Sequence, residues 1–195
     1  MRRDRHLLTC AASLAMLTFG ASTSEAGSTM QGATPSHCSM AGATAGPAKP
    51  EAVKAYEEAT PPLWGNLGSL SYPITTRSDQ AQKYFDQGLK FSVGFNHAEA
   101  RRAFREAQTL DPDCAMCYWG EALVLGPNIN VPMAPEANAP ALAALRKAEA
   151  IAGKSSDKEK ALIGALGKRY SADPAAERAT LDQAYADAMA ALSDK

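Results

Sequence analysis

Residues 81–114 read AQKYFDQGLKFSVGFNHAEARRAFREAQTLDPDC. Ala81, Tyr84, Phe85, Gly88, Leu89 and Phe91 recur at helical spacing, so one face of this stretch is apolar or small. Ser78 stands before Asp79 and Gln80, an N-cap followed by acid in the first turn. Gly94 closes that helix. A second begins near Asn96 and His97, carries Ala100, Ala103, Phe104, Ala107 and Leu110 on one face, and stops at Asp111-Pro112. Two short helices with small residues at fixed points predict stacked helical hairpins.

The spacing resembles a tetratricopeptide repeat, whose period is 34 residues. With Ala81 as the first position, Tyr84, Gly88, Phe91, Ala100, Phe104, Ala107 and Pro112 stand where that pattern wants aromatic, glycine, aromatic, alanine, phenylalanine, alanine and proline. Gln87 departs from it, because leucine is usual there. A second unit starts at Ala115: Tyr118 keeps the aromatic, Ala122 replaces the glycine and Leu125 the second aromatic. Gly126-Pro127 ends its first helix, and Asn128–Met133 form an extra loop before Ala141, Leu145 and Ala148 restore the spacing. A third unit opens with the capping box Ser156-Asp157-Lys158-Glu159, and its second helix is expected to open at Asp173-Pro174. The expected architecture is all-α: stacked helical hairpins over residues 78–195, with units at about 81–114, 115–155 and 156–195.

Residues 60–195 together resemble a group of secreted bacterial tetratricopeptide-containing proteins, whose members are usually much longer. A chain stopping at Lys195 directly after a helix is therefore expected to be a fragment or an early-ending form. The resemblance implies a protein-interaction scaffold rather than a reaction. By the family's geometry the first helix of each hairpin lines the groove, which makes Gln82, Phe85, Leu89 and Met116 candidate partner-binding residues, with Phe85 and Leu89 equally at home in a core. Asn96, Asn128 and Asn130 gather at one hairpin end, to bind a peptide backbone or to tie down their own loops; His97 belongs to the same end.

Upstream, residues 1–26 have the order of a secretory signal peptide. Three arginines in MRRDRH precede the uncharged stretch Leu7–Ala21, and Ser24-Glu25-Ala26 is a small-x-small cleavage pattern. The apolar stretch is 15 residues, short of the ~20 a spanning helix needs. Cys10 lies too early, after Thr9, for a lipoprotein site. The expected product is exported, to a periplasmic or extracellular compartment, without a membrane span after cleavage. Residues 27–77 are expected to be a flexible arm and lead-in. Gly, Ala, Ser, Thr and Pro dominate up to residue 50 without apolar period. A brief helix fits residues 51–59. Residues 63–77 read as an extended or looped lead-in, with Trp64, Leu67, Leu70 and Tyr72 available to cover the start of the folded part.

The 195 residues carry a net charge of −1 and only three histidines. That balance opposes nucleic-acid binding, which needs a basic excess. Alanine supplies 40 residues, so the 46% hydrophobic share overstates the large side chains. No phosphate loop, nucleophile elbow or zinc-protease motif is present, and the expected function is non-enzymatic protein or peptide binding. Cys114-Ala115-Met116-Cys117 is the sharpest chemical feature. In an oxidising compartment the pair forms a disulfide or packs as buried thiols. Alternatively Cys114, Met116 and Cys117, with Cys38 and the upstream His37 and Met40, form a soft-metal set suited to copper. Thiol exchange is the third reading, without the βαβ surroundings it usually has. Haem attachment is excluded because Tyr118, not histidine, follows the second cysteine. Charged residues 99–106 read as a solvated helix face, and Asp111 and Asp113 as turn residues.

Overall fold

The computed structural model describes residues 49–173 and 175–193. Residues 1–48, and with them the signal peptide, most of the arm, His37, Cys38 and Met40, lie outside the described residues. Among the described residues seven helices follow one another: α1 (Pro50–Glu58), α2 (Asp79–Val93), α3 (His97–Leu110), α4 (Ala115–Leu125), α5 (Asn138–Ile151), α6 (Asp157–Gly167) and α7 (Arg178–Ser193), with 3₁₀ turns at Pro135–Ala137 and Ala152–Lys154. There is no strand among the described residues. Helices α2 and α3, α4 and α5, and α6 and α7 pack as consecutive pairs, and α3 and α5 pack on to α4 and α6, giving the expected all-α array of hairpins.

The local signals act where they were expected. The Ser78 hydroxyl accepts the Ala81 N–H, Asn96 Oδ1 accepts the Glu99 N–H, and Ser156 and Glu159 close a reciprocal capping box. The α2–α3 turn differs in detail. Gly94 keeps a negative φ, and the left-handed residue is Phe95, at φ 59°. The Asn96 N–H reaches back to the Phe91 carbonyl at 2.9 Å, which closes the helix end around that residue. Helix α7 starts at Arg178 rather than at Asp173: Asp173 instead organises a separate turn, accepting the Ala175 N–H through Oδ1 and the Ala176 N–H through its carbonyl.

The packing centres on Phe104. Its ring stands 5.5 Å from that of Phe85, tilted by 59°, and both side chains are fully buried. A Cβ built on Gly88 would stand 2.6 Å from the ring, and one on Gly120 would stand 2.4 Å from it. The ring of α3 therefore lies against bare backbone on α2 and on α4 alike, joining the first two hairpins. The sequence pattern identifies Gly88; Gly120, two residues before the expected site at Ala122, does the same work in the second unit. Further along, Trp119 Nε1 donates to the Leu162 carbonyl at 3.2 Å, and the Tyr170 hydroxyl donates to the Ala122 carbonyl, tying α4 to the third hairpin.

The charged stretch 99–106 is not a wholly solvated face. Arg102 is only 9% exposed because α1 covers it. Its guanidinium lies 4.1 Å from the Tyr56 ring centre, bonds Glu99 at 2.6 Å and donates to the Ala59 carbonyl at 2.9 Å. Arg101 pairs with Glu121 of α4 at 3.1 Å.

Candidate functional site

Residues 61–77 lie along α2 as a partly looped, partly extended lead-in, turning at Gly65 and Asn66 with Gly68 at φ 79°. From Ser71 to Ser78 exposed and half-buried residues alternate, the period of an extended chain resting on a surface. Tyr72, Ile74 and Thr76 face inward. Ile74 packs against both clusters of the core, and Tyr72 joins one of them with the Lys158 ammonium 5.2 Å from its ring centre. Of the residues expected to cover the folded part, Trp64 and Leu70 leave much of their surface in solvent, Leu67 is half-buried and Tyr72 packs on the core. The cover is made by Tyr72 and Ile74.

What holds the segment is a set of side chains aimed at its backbone. Gln82 accepts the Ile74 N–H at 2.9 Å and donates to the Tyr72 carbonyl at 2.9 Å, so one carboxamide satisfies a donor and an acceptor of the same strand. One turn on, Asp86 accepts the Tyr72 N–H at 2.9 Å and the Ser71 hydroxyl at 2.7 Å. Gln87 repeats the carboxamide pairing, with the Trp64 N–H at 2.8 Å and the Pro62 carbonyl at 2.9 Å. The Tyr84 hydroxyl donates to the Pro61 carbonyl at 2.9 Å.

Two buried carboxylates finish the cradle. Asp111, in the α3–α4 turn, accepts the Thr76 hydroxyl at 2.6 Å and the Arg77 N–H at 2.8 Å. Glu159, on α6 and 3% exposed, accepts the Thr75 N–H and hydroxyl at 2.6 Å each while its Oε2 keeps the Ser156 N–H of the capping box at 2.7 Å. Burial opposes charge on Asp111. The bonds from Thr76, Arg77 and Asp113 and the positive charge of Arg77 outweigh it and hold the carboxyl below its ordinary pKa. For Glu159, burial is again the largest influence, and the bonds from Thr75 and Ser156 overcome it in the same direction.

The other expected positions divide. Gln82 is in the cradle. Phe85 and Met116 are fully buried in the core and offer no surface to a partner; Leu89 is half-buried against the same cluster. Asn96 caps α3, and Asn128 Oδ1 accepts the N–H groups of Asn130 and Val131 at 2.9 and 3.0 Å, so these carboxamides tie down their own loops. His97 Nδ1 meets the Asn128 amide at 3.5 Å, at that same hairpin end. Asp86, Asp111 and Glu159 were absent from the expected set. Gln87 was visible as a departure from the repeat pattern: a polar residue at a normally apolar place, here buried and paired with a strand.

Cys114 and Cys117 form a disulfide, with Cα atoms 5.4 Å apart and both residues 0% exposed. It sits among Ala81, Tyr84, Ala103 and Ala107 where α2, α3 and α4 meet. In this state neither sulfur is a thiolate open to a soft metal or an exchange partner, and Met116 beside them is buried. No group of three or more His, Cys, Asp or Glu residues suited to a metal occurs among the described residues. Nor is any helix among them long and apolar enough to cross a membrane. No family model, curated protein or solved structure matches the chain.

Proposed function

We propose that this chain is a non-enzymatic helical-repeat scaffold of tetratricopeptide type, exported from the cytoplasm, whose α2–α6 face binds an extended segment of a protein partner. The observation that carries the reading is the cradle itself. Gln82 and Gln87 each satisfy a main-chain carbonyl and the N–H two residues on, and Asp86 takes the Tyr72 N–H, so residues 62–64 and 72–74 are engaged through main-chain atoms. Main-chain recognition of an extended peptide accepts many sequences, while pockets for alternate side chains narrow the choice. Export rests on the signal-like residues 1–26, and the buried disulfide is in keeping with an oxidising compartment.

Two measurements test the proposal. Intact mass of the protein recovered outside the cytoplasm is expected to correspond to a chain beginning near Gly27; an unprocessed, intracellular product overturns the export reading. A displayed library of 12-residue peptides panned against the intact protein is expected to enrich sequences whose binding weakens at least tenfold on Gln82→Leu. Enriched peptides indifferent to that substitution, or no enrichment at all, would place any binding elsewhere.

A further inference from the structure

The cradle is already filled by the chain's own residues, and the way it is filled specifies what else would fit. We infer that Tyr72–Arg77 is a built-in competitor, and that the partner in trans is an extended peptide with the side-chain order aromatic, any residue, aliphatic, hydroxyl, hydroxyl, basic. This deepens the peptide-binding reading and rests on it.

The order is read position by position. The aromatic place is set by Lys158 over the Tyr72 ring. The next residue, Pro73, is exposed and meets no requirement. The aliphatic place is Ile74, the one lead-in side chain that reaches both core clusters. The two hydroxyl places are Thr75, bonded to Glu159, and Thr76, bonded to Asp111, each at 2.6 Å. Both acceptors are buried carboxylates, so a peptide offering aliphatic side chains there leaves charged oxygens short of donors, and one offering acids meets repulsion. The basic place is Arg77, 2.7 Å from Asp113 and 3.8 Å from Asp111. Four carboxylates along this short segment, Asp86, Asp111, Asp113 and Glu159, thus select against acidic partners.

Exchange is physically open to this segment. Its bonds are those of an extended strand to side chains, which another strand reproduces atom for atom. Upstream it is fixed at Pro61, Pro62 and Trp64 by Tyr84 and Gln87 but buries few large side chains, since Leu63, Trp64 and Leu70 are exposed and Gly65 and Gly68 face open space. Its advantage is tethering: a short linker gives an effective concentration of ~1 mM or more, which a trans peptide must outbid. Weakening the resident strand without touching the cradle removes that advantage.

The experiment uses the full chain carrying Thr75→Val and Thr76→Val, which leaves Gln82, Asp86, Asp111 and Glu159 in place; a melting curve confirms folding. A fluorescein-labelled peptide Ser-Tyr-Pro-Ile-Thr-Thr-Arg is titrated by anisotropy. It is expected to bind the double variant at least tenfold more tightly than the natural chain, and peptides with Val-Val for Thr-Thr, or Asp for Ile, are expected to lose at least tenfold. If the double variant does not fold, Ile74→Ala takes its place as the weakened resident. Equal binding of the Thr-Thr and Val-Val peptides overturns the proposed order while leaving peptide binding intact. No binding of the matched peptide, when panned peptides do bind, overturns the competitor role alone; no binding of either removes the underlying reading too.

Discussion

Replacing Glu159 with glutamine is the sharpest perturbation of the cradle. The change preserves volume but turns one accepting oxygen into an NH₂ donor. In the native chain Oε1 accepts the Thr75 N–H, and Oε2 accepts the Thr75 hydroxyl, the Ser156 hydroxyl and the Ser156 N–H. The hydroxyls can rotate to accept from an amide; the two backbone N–H groups cannot. Whichever way the glutamine turns, its NH₂ faces one of them. A part-buried N–H left unpartnered costs up to ~1–3 kcal/mol, and the remaining bonds lose the charge assistance that makes them worth ~1.5–3 kcal/mol each. The expected loss is ~2–4 kcal/mol, or about 10 °C in Tm for a domain of this size. Differential scanning calorimetry measures the total. Amide exchange locates it: Thr75 and Ser156 are expected to lose protection, with the α2 and α3 amides retaining most of theirs. A fall in Tm below 2 °C with Thr75 still protected would refute the assignment of Glu159 as the joint between lead-in and α6.

The same carboxylates set a pH dependence. Asp111 and Glu159 have folded-state pKa values below their unfolded ones, so their contribution is complete above the ordinary carboxylate range and is lost as pH falls through the lowered values. Stability is expected to drop below about pH 4, and more gently in Asp111→Asn/Glu159→Gln, as read by urea midpoints across pH. Gly120→Ala places a methyl 2.4 Å from the enclosed Phe104 ring and is expected to destabilise by ~1–3 kcal/mol despite alanine's better helix propensity; combining it with Phe104→Leu should recover part of that in thermal melts. Cys114→Ala/Cys117→Ala opens a loop of only a few residues, for which chain entropy predicts a loss of ~2 kcal/mol, and the denaturant midpoint of the variant should be indifferent to reductant.

The helices were legible because their signals are local. Ser78, Asn96 and Ser156 cap within three residues, and the α2–α3 spacing repeats within one hairpin. The cradle was hidden because it is not local: an extended stretch of neutral residues declares no partner, and Glu159 reads as a capping residue until its second allegiance is seen. Phe85 and Met116 fall at groove positions by repeat numbering, yet the ring of Phe104 and the close second hairpin bury them. Arg102 looked solvated because nothing in its own helix reveals that α1 returns over it. Gln87 was the readable exception, since a carboxamide at an apolar place needs a buried partner.

Thr75 and Glu159 are 84 positions apart. A chain made from its N-terminus therefore presents its strap long before the far anchor exists. Once α3 is made, that strap can find Gln82, Asp86 and Asp111, but it waits for α6 to meet Glu159. One end of the strap is thus held by near neighbours while its far anchor is the last of its partners to arrive, and until then that joint stays open to other segments.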